Sequence, residues 1–109
     1  MIKNIGHGMP LPLADEVVYQ PGQIVSKTLA QNKHHSLTLF AFDKGEEIST
    51  HTSDGDAMVI VLDGQGKITI DKTEYIITAG ETIVMPAKNT HAVYAVERFK
   101  MLLIVIFPV

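Results

Sequence analysis

Between Ile24 and Phe107 the chain alternates short apolar runs with turn residues. The runs are Ile24–Leu29, Leu37–Phe42, Met58–Leu62, Lys67–Ile70, Glu74–Ile77, Thr82–Met85, Ala92–Val96 and Met101–Phe107. They are rich in Val, Ile, Thr, Phe and Tyr, whose branched or flat side chains suit a pleated surface. Pro21-Gly22, Lys44-Gly45, Asp54-Gly55, Asp63-Gly64 and Ala79-Gly80 punctuate them, and glycine lets the backbone reverse without steric cost. The stretch from Glu16 to Ser26 carries no 3.6-residue period. Eight or more short antiparallel strands are predicted, arranged as a sandwich or barrel.

Two runs are apolar on both faces. In Ala57-Met58-Val59-Ile60-Val61-Leu62 one alternate set is Ala57, Val59 and Val61, the other Met58, Ile60 and Leu62. Met101 to Phe107 behaves in the same way. A sheet with one wet face would alternate apolar with polar, so both faces are expected to be covered. A second sheet with the amino-terminal segment would serve; so would another copy of the chain, and a homodimer is the expected state.

At 109 residues the chain has the size of one domain with one modest core, spanning residues 1–109. A net charge of −3 gives no electrostatic reason to expect nucleic acid or an anionic membrane as a partner. Cysteine is absent, which excludes disulfides and thiolate metal sites. Met1 to Gly6 lacks the apolar run of a signal peptide, and Met101–Phe107 is too short to span a bilayer. A cytoplasmic protein is expected.

The chemistry lies in two glycine-led segments. In the first, about residues 45–64, Gly45 precedes His51 by six positions, and Ser53, Ala57 and Gly64 follow. In the second, about residues 80–95, Gly80 leads to Pro86, Lys88, His91 and Ala95. The spacing resembles the two motifs of the cupin superfamily, most closely its small single-domain bacterial members. The first of those motifs places Gly, His-x-His, Glu and Gly in that register; the second places Gly, Pro-x-Gly, His and Asn. The resemblance implies an all-β double-stranded β-helix, the jelly-roll barrel of cupins. It also implies a divalent transition metal (Fe, Mn, Ni or Zn) held inside the barrel by three His and one Glu.

The departures fall within that ligand set. His51 and His91 keep the first and last histidines, but Ser53 stands for the second and Ala57 for the Glu. Lys88 replaces the motif Gly and Ala95 the Asn. His51 and His91 remain as candidate metal ligands, although a zinc site normally takes at least three protein ligands and a facial triad needs a carboxylate. Asp54 and Asp56 are the nearest acids. Strand alternation aims Asp56 away from the interior, and Ser53-Asp54-Gly55-Asp56 reads as a polar turn with Asx bonds to its own backbone.

If His51 and His91 face inward, alternation brings Ser53, Ala57, Val59 and Val61 inward from one strand, and Val93 and Ala95 from the other. That set predicts an apolar pocket with one polar end, the usual form of a small-molecule site. Phe40 or Phe42 could close one end. His34 and His35 are expected in a solvated loop; an inward His35 would supply a third ligand. His7 is assigned no role. No nucleophile elbow, inward carboxylate pair, phosphate loop or basic–aromatic patch is legible. Three readings stay open at this level, and fold alone does not choose between them. One is a cupin that binds a small molecule and takes a metal or none. Another is a metal-dependent oxygenase, isomerase or decarboxylase acting on a small organic acid. The last is a structural dimeric barrel without ligand.

Overall fold

The computed structural model describes residues 1–109. The chain is almost entirely β. A short 3-10 helix, Leu13–Glu16, precedes β1 (Ile24–Gln31), β2 (His35–Phe42), β3 (Glu47–His51), β4 (Asp56–Ile70), β5 (Thr73–Thr78), β6 (Thr82–Met85) and β7 (His91–Ile106). No helix is long and apolar enough to cross a membrane.

Every pairing is antiparallel, and the central path runs β1-β2-β7-β4-β5. β3 adds to β7, and β6 adds to β4. The two long strands build both halves of the barrel. The first half of β4 lies between β6 and the last half of β7, which continues to β2 and β1. The second half of β4 lies between β5 and the first half of β7, which carries β3 on its other side. This is the all-β jelly-roll barrel that the family resemblance implies.

β4 and β7 differ from the expected pattern. Met58–Leu62 and Lys67–Ile70 are not two strands about a turn but one strand, and Ala92–Val96 continues without a break into Met101–Ile106. Asp63-Gly64 is a bend inside a strand. The register slips between Val61 and Asp63 and again between Gly64 and Gly66, and such bulges let one strand pass from one sheet to the other. Gly64 sits at φ +77°, and a Cβ there would strike the carbonyl oxygen of Arg98. The bend therefore depends on glycine for both conformation and space. β3, in contrast, carries too few apolar residues to be legible as a strand: Ile48 alone is half-buried in it.

The core follows from the alternation. Ala57, Val59 and Val61 face inward opposite Val105, Leu103 and Met101, and meet Ile68, Val93 and Ala95 of the other sheet. Phe42 stacks on Phe99 with centroids 4.6 Å apart and fills the interior beside the bend. The outer face is covered in part by the amino-terminal segment. Val17, with Ile5, Leu13 and Tyr19, packs over Leu29, Leu39, Ala41, Leu62 and Leu102. The arm is tied down by Tyr19 Oη donating to Asp63 Oδ2 (2.6 Å) and Lys100 Nζ donating to the Ala14 carbonyl (2.6 Å). Asp43 accepts from Gly22 N and from Arg98 Nε, which holds its carboxyl down at about 2.

Candidate functional site

The site begins with a register. β3 pairs with β7 so that His51 lies directly opposite His91, after a bulge between Ile48 and His51. Cross-strand partners share a face, so the two rings are driven together. Their centroids are 4.3 Å apart and the planes meet at 76°. His91 is buried and His51 is exposed, so the pair runs from the interior to the mouth.

Both rings are oriented by backbone. His51 Nδ1 donates to the Ser49 carbonyl (2.8 Å) and His91 Nδ1 to the Asn89 carbonyl (3.2 Å). A carbonyl oxygen can only accept, so each Nδ1 carries the proton. In a neutral ring this leaves Nε2 with a free lone pair. No protein group bonds either Nε2, yet no unpartnered polar atom is sealed from solvent, so the Nε2 of buried His91 opens into a cavity. Burial, and then the neighbouring His51, push the His91 pKa below its ordinary value and favour the neutral ring.

That cavity has a volume of about 280 Å³. His51, Thr52, Ser53 and His91 give it a polar end, and Ile48, Ala57, Met85, Val93, Met101, Leu103 and Val105 line the rest. Of the residues singled out from sequence, Ser53, Ala57 and Val93 line it together with the two histidines. Val59, Val61 and Ala95 are fully buried but do not line it. Ala95 pairs with Gly66, against which the Phe99 ring packs, so that part of the interior is filled. Neither Phe40 nor Phe42 closes the cavity. Met85 and Met101 were not legible as lining; Met85 enters because it pairs with Ala57, whose small side chain leaves the space open.

The loop before His91 is held by a residue that the motif spacing did not single out. Asp71 accepts from Asn89 Nδ2 (2.8 Å) and from both the amide and hydroxyl of Thr90 (3.2 Å each). The Asn89 bond is the main reason its pKa is lowered. Asp71 thus fixes the peptide whose carbonyl orients His91. The two motif loops are also joined: Lys88 N donates to the Ser53 carbonyl (2.8 Å), and Ala87 N donates to Asp56 Oδ1 (2.8 Å). Lys88 adopts φ +69°, the conformation that the motif reserves for glycine.

The fit to a metal is decided by the donor set. Two Nε2 lone pairs on rings 4.3 Å apart are close enough to share an ion. No third His, Asp or Glu joins them. Asp56 is turned to the Ala87 amide, and the polar turn is closed by the Ser53 hydroxyl accepting from Gly55 N (3.2 Å), not by an Asx bond. His35 starts β2, pairs with Ile106 and lies outside the cavity. His34 is exposed, and His7 Nε2 donates to the Ile2 carbonyl (2.9 Å). The residues present do not make up the three- or four-ligand site of a zinc or facial-triad centre.

Similarity to known proteins agrees with this architecture. The cupin domain family profile matches residues 38–107, well over half of the chain. A conserved protein of unknown function from Streptococcus pyogenes is 49% identical, with TM-score 0.97, over 99% of this chain and 95% of that one. A cupin superfamily protein from Desulfitobacterium hafniense is 32% identical, with TM-score 0.95, over 99% of both chains. A cupin 2 conserved barrel domain protein from Leptotrichia buccalis is 46% identical, with TM-score 0.83, over 85% of this chain and 45% of that one. No curated protein matches the sequence.

Proposed function

The chain belongs to the cupin family, and from that premise we propose that it is a small-molecule-binding cupin whose site is the cavity at His51 and His91. The observation that carries this is an apolar space of about 280 Å³ ending in two oriented imidazoles with unused lone pairs. An apolar cavity of about 150 Å³ suffices for a benzene-sized molecule, so there is room for one small substituted ring. Packed interiors leave few voids of this size, and open ones with convergent polar groups are typical of ligand sites. A purely structural barrel would have no need of the space. A metal-dependent enzyme would need a third ligand that this set of residues lacks.

Protein labelled at the methionine methyl groups provides the test. Met85 and Met101 line the cavity, whereas Met58 is on the outer face. On titration with toluene, the Met85 and Met101 methyl resonances are expected to move in a saturable way while Met58 stays fixed. Met85 and Met101 signals unmoved by toluene, and unmoved also by a polar ring of the same size such as phenol, up to the solubility limit would remove the proposal.

The same premise extends to a second copy of the chain. Leu37, Ile104, Met58 and Val84 are successive cross-strand partners, forming an apolar row over β2, β7, β4 and β6. The cluster formed with the amino-terminal arm takes in Leu37 at one end of this row and leaves Met58 36% and Val84 45% exposed. A two-fold partner could cover it with its own identical row. Light scattering should give a dimer that Val84→Lys converts to monomer; a wild-type monomer at micromolar concentration would refute this.

A further inference from the structure

The cavity's hydrogen-bonding inventory restricts what it can hold. This step rests on the binding-site proposal and concerns the ligand's polarity. Both Nδ1–H groups are committed to carbonyls, so His51 and His91 offer acceptors to the interior. Ser53 Oγ already accepts from Gly55 N, and its own O–H has no acceptor within the protein. The polar end thus offers lone pairs from two imidazoles and the hydroxyl protons of Ser53 and Thr52. No Lys, Arg, Asp or Glu lines the space.

We infer that the cavity is specific for an uncharged, hydroxyl-bearing apolar molecule of about one ring, a phenol or a comparable alcohol, and selects against carboxylates and ammonium ions. A hydroxyl matches the inventory in both senses. It donates to an Nε2 and accepts from Ser53 O–H. A carboxylate would point lone pairs at lone pairs and leave a charge without a counter-ion. An ammonium could donate to both rings, but its charge would be buried with no carboxylate beside it. Burying an unpaired charge costs far more than one hydrogen bond returns. An ether or a plain hydrocarbon would fit the apolar walls and leave the His91 lone pair unmatched.

The probes are toluene, anisole, phenol, benzoate and benzylammonium, of similar size and different polarity, titrated against the methionine-methyl-labelled protein at pH 8. Phenol is expected to bind roughly three- to tenfold more tightly than toluene or anisole, the worth of one or two net hydrogen bonds. Benzoate and benzylammonium are expected to be weaker than toluene. In His51→Phe, whose substituted side chain lies at the exposed mouth, the phenol preference should shrink while toluene still binds. His91→Phe should shrink it further, and the His51 variant keeps the test valid if His91→Phe fails to fold. Equal affinity for phenol and toluene would overturn the hydroxyl assignment and leave the cavity proposal standing, as would benzoate or benzylammonium binding most tightly. Failure of all five probes would overturn both.

Discussion

Gly64→Ala and Gly80→Ala separate two demands that a glycine can meet, and the barrel makes them unequal. Both residues have positive φ, +77° at Gly64 and +90° at Gly80. Either substitution places an L side chain in the left-handed region, at a cost of about 1–2 kcal/mol. At Gly80 the new methyl group meets nothing within 4 Å, so the conformational cost stands alone. At Gly64 the methyl overlaps the Arg98 carbonyl oxygen and comes within 2.8 Å of Phe99 Cα. Those are backbone atoms of β7, and no rotamer change can clear them. Overpacking of this kind adds about 1–3 kcal/mol. Gly64→Ala should therefore cost about 2–5 kcal/mol, a large share of the roughly 5–15 kcal/mol that holds such domains folded. At about 4 °C per kcal/mol for a domain of this length, it should melt at least about 4 °C below Gly80→Ala. Thermal unfolding followed by circular dichroism, with urea midpoints as a second measure, gives the comparison. Coincident melting of the two variants would refute the close approach of β4 and β7 at the bend.

Three other outcomes are expected. Ser53→His with Ala57→Glu returns a third and fourth donor to a cavity wall that already carries two imidazoles. It should bind Co²⁺ with visible d–d absorption where wild type shows little, and equal absorption by both would contradict the fit argument. Lys88→Gly relieves a left-handed lysine at φ +69° and should raise stability by up to about 1 kcal/mol; a loss in urea unfolding would mean that the side chain itself is needed. Stability should also fall in mild acid. The native His91 pKa lies below its ordinary 6.5, so as pH drops the unfolded chain takes up that proton first. The contribution is complete above about 6.5 and is lost as pH falls through the lower native value; urea titrations of wild type that are flat from pH 8 to pH 5 would count against it.

The barrel was legible because strand alternation and glycine spacing are local features. Ala57 with Ser53 and Val93 against His91 could be placed on one wall by counting residues in twos. What escaped was the curvature. Asp63-Gly64 has the composition of a hairpin turn, and only the proximity of Arg98 and Phe99, more than thirty positions away, makes it a bend within one strand. The same curvature brings Phe99 over Gly66 and fills the space beside Ala95, so the lining expected from period alone was too long at that end. β3 escaped for another reason: four of its five side chains are exposed, and its identity as a strand comes from β7 and not from its own sequence. Asp71 carries no motif signature, because its role depends on where the loop before His91 happens to return.

That dependence of β3 on one neighbour has a thermodynamic consequence. His51 stands at the end of a five-residue edge segment hydrogen-bonded along one side only. Such segments open locally far more often than the strands beside them. A guest that engages the His51 ring must quieten that fraying, so part of the interaction free energy goes into lost chain entropy. Filling the interior should slow amide exchange at residues 47–51 well beyond its effect on the middle of β4.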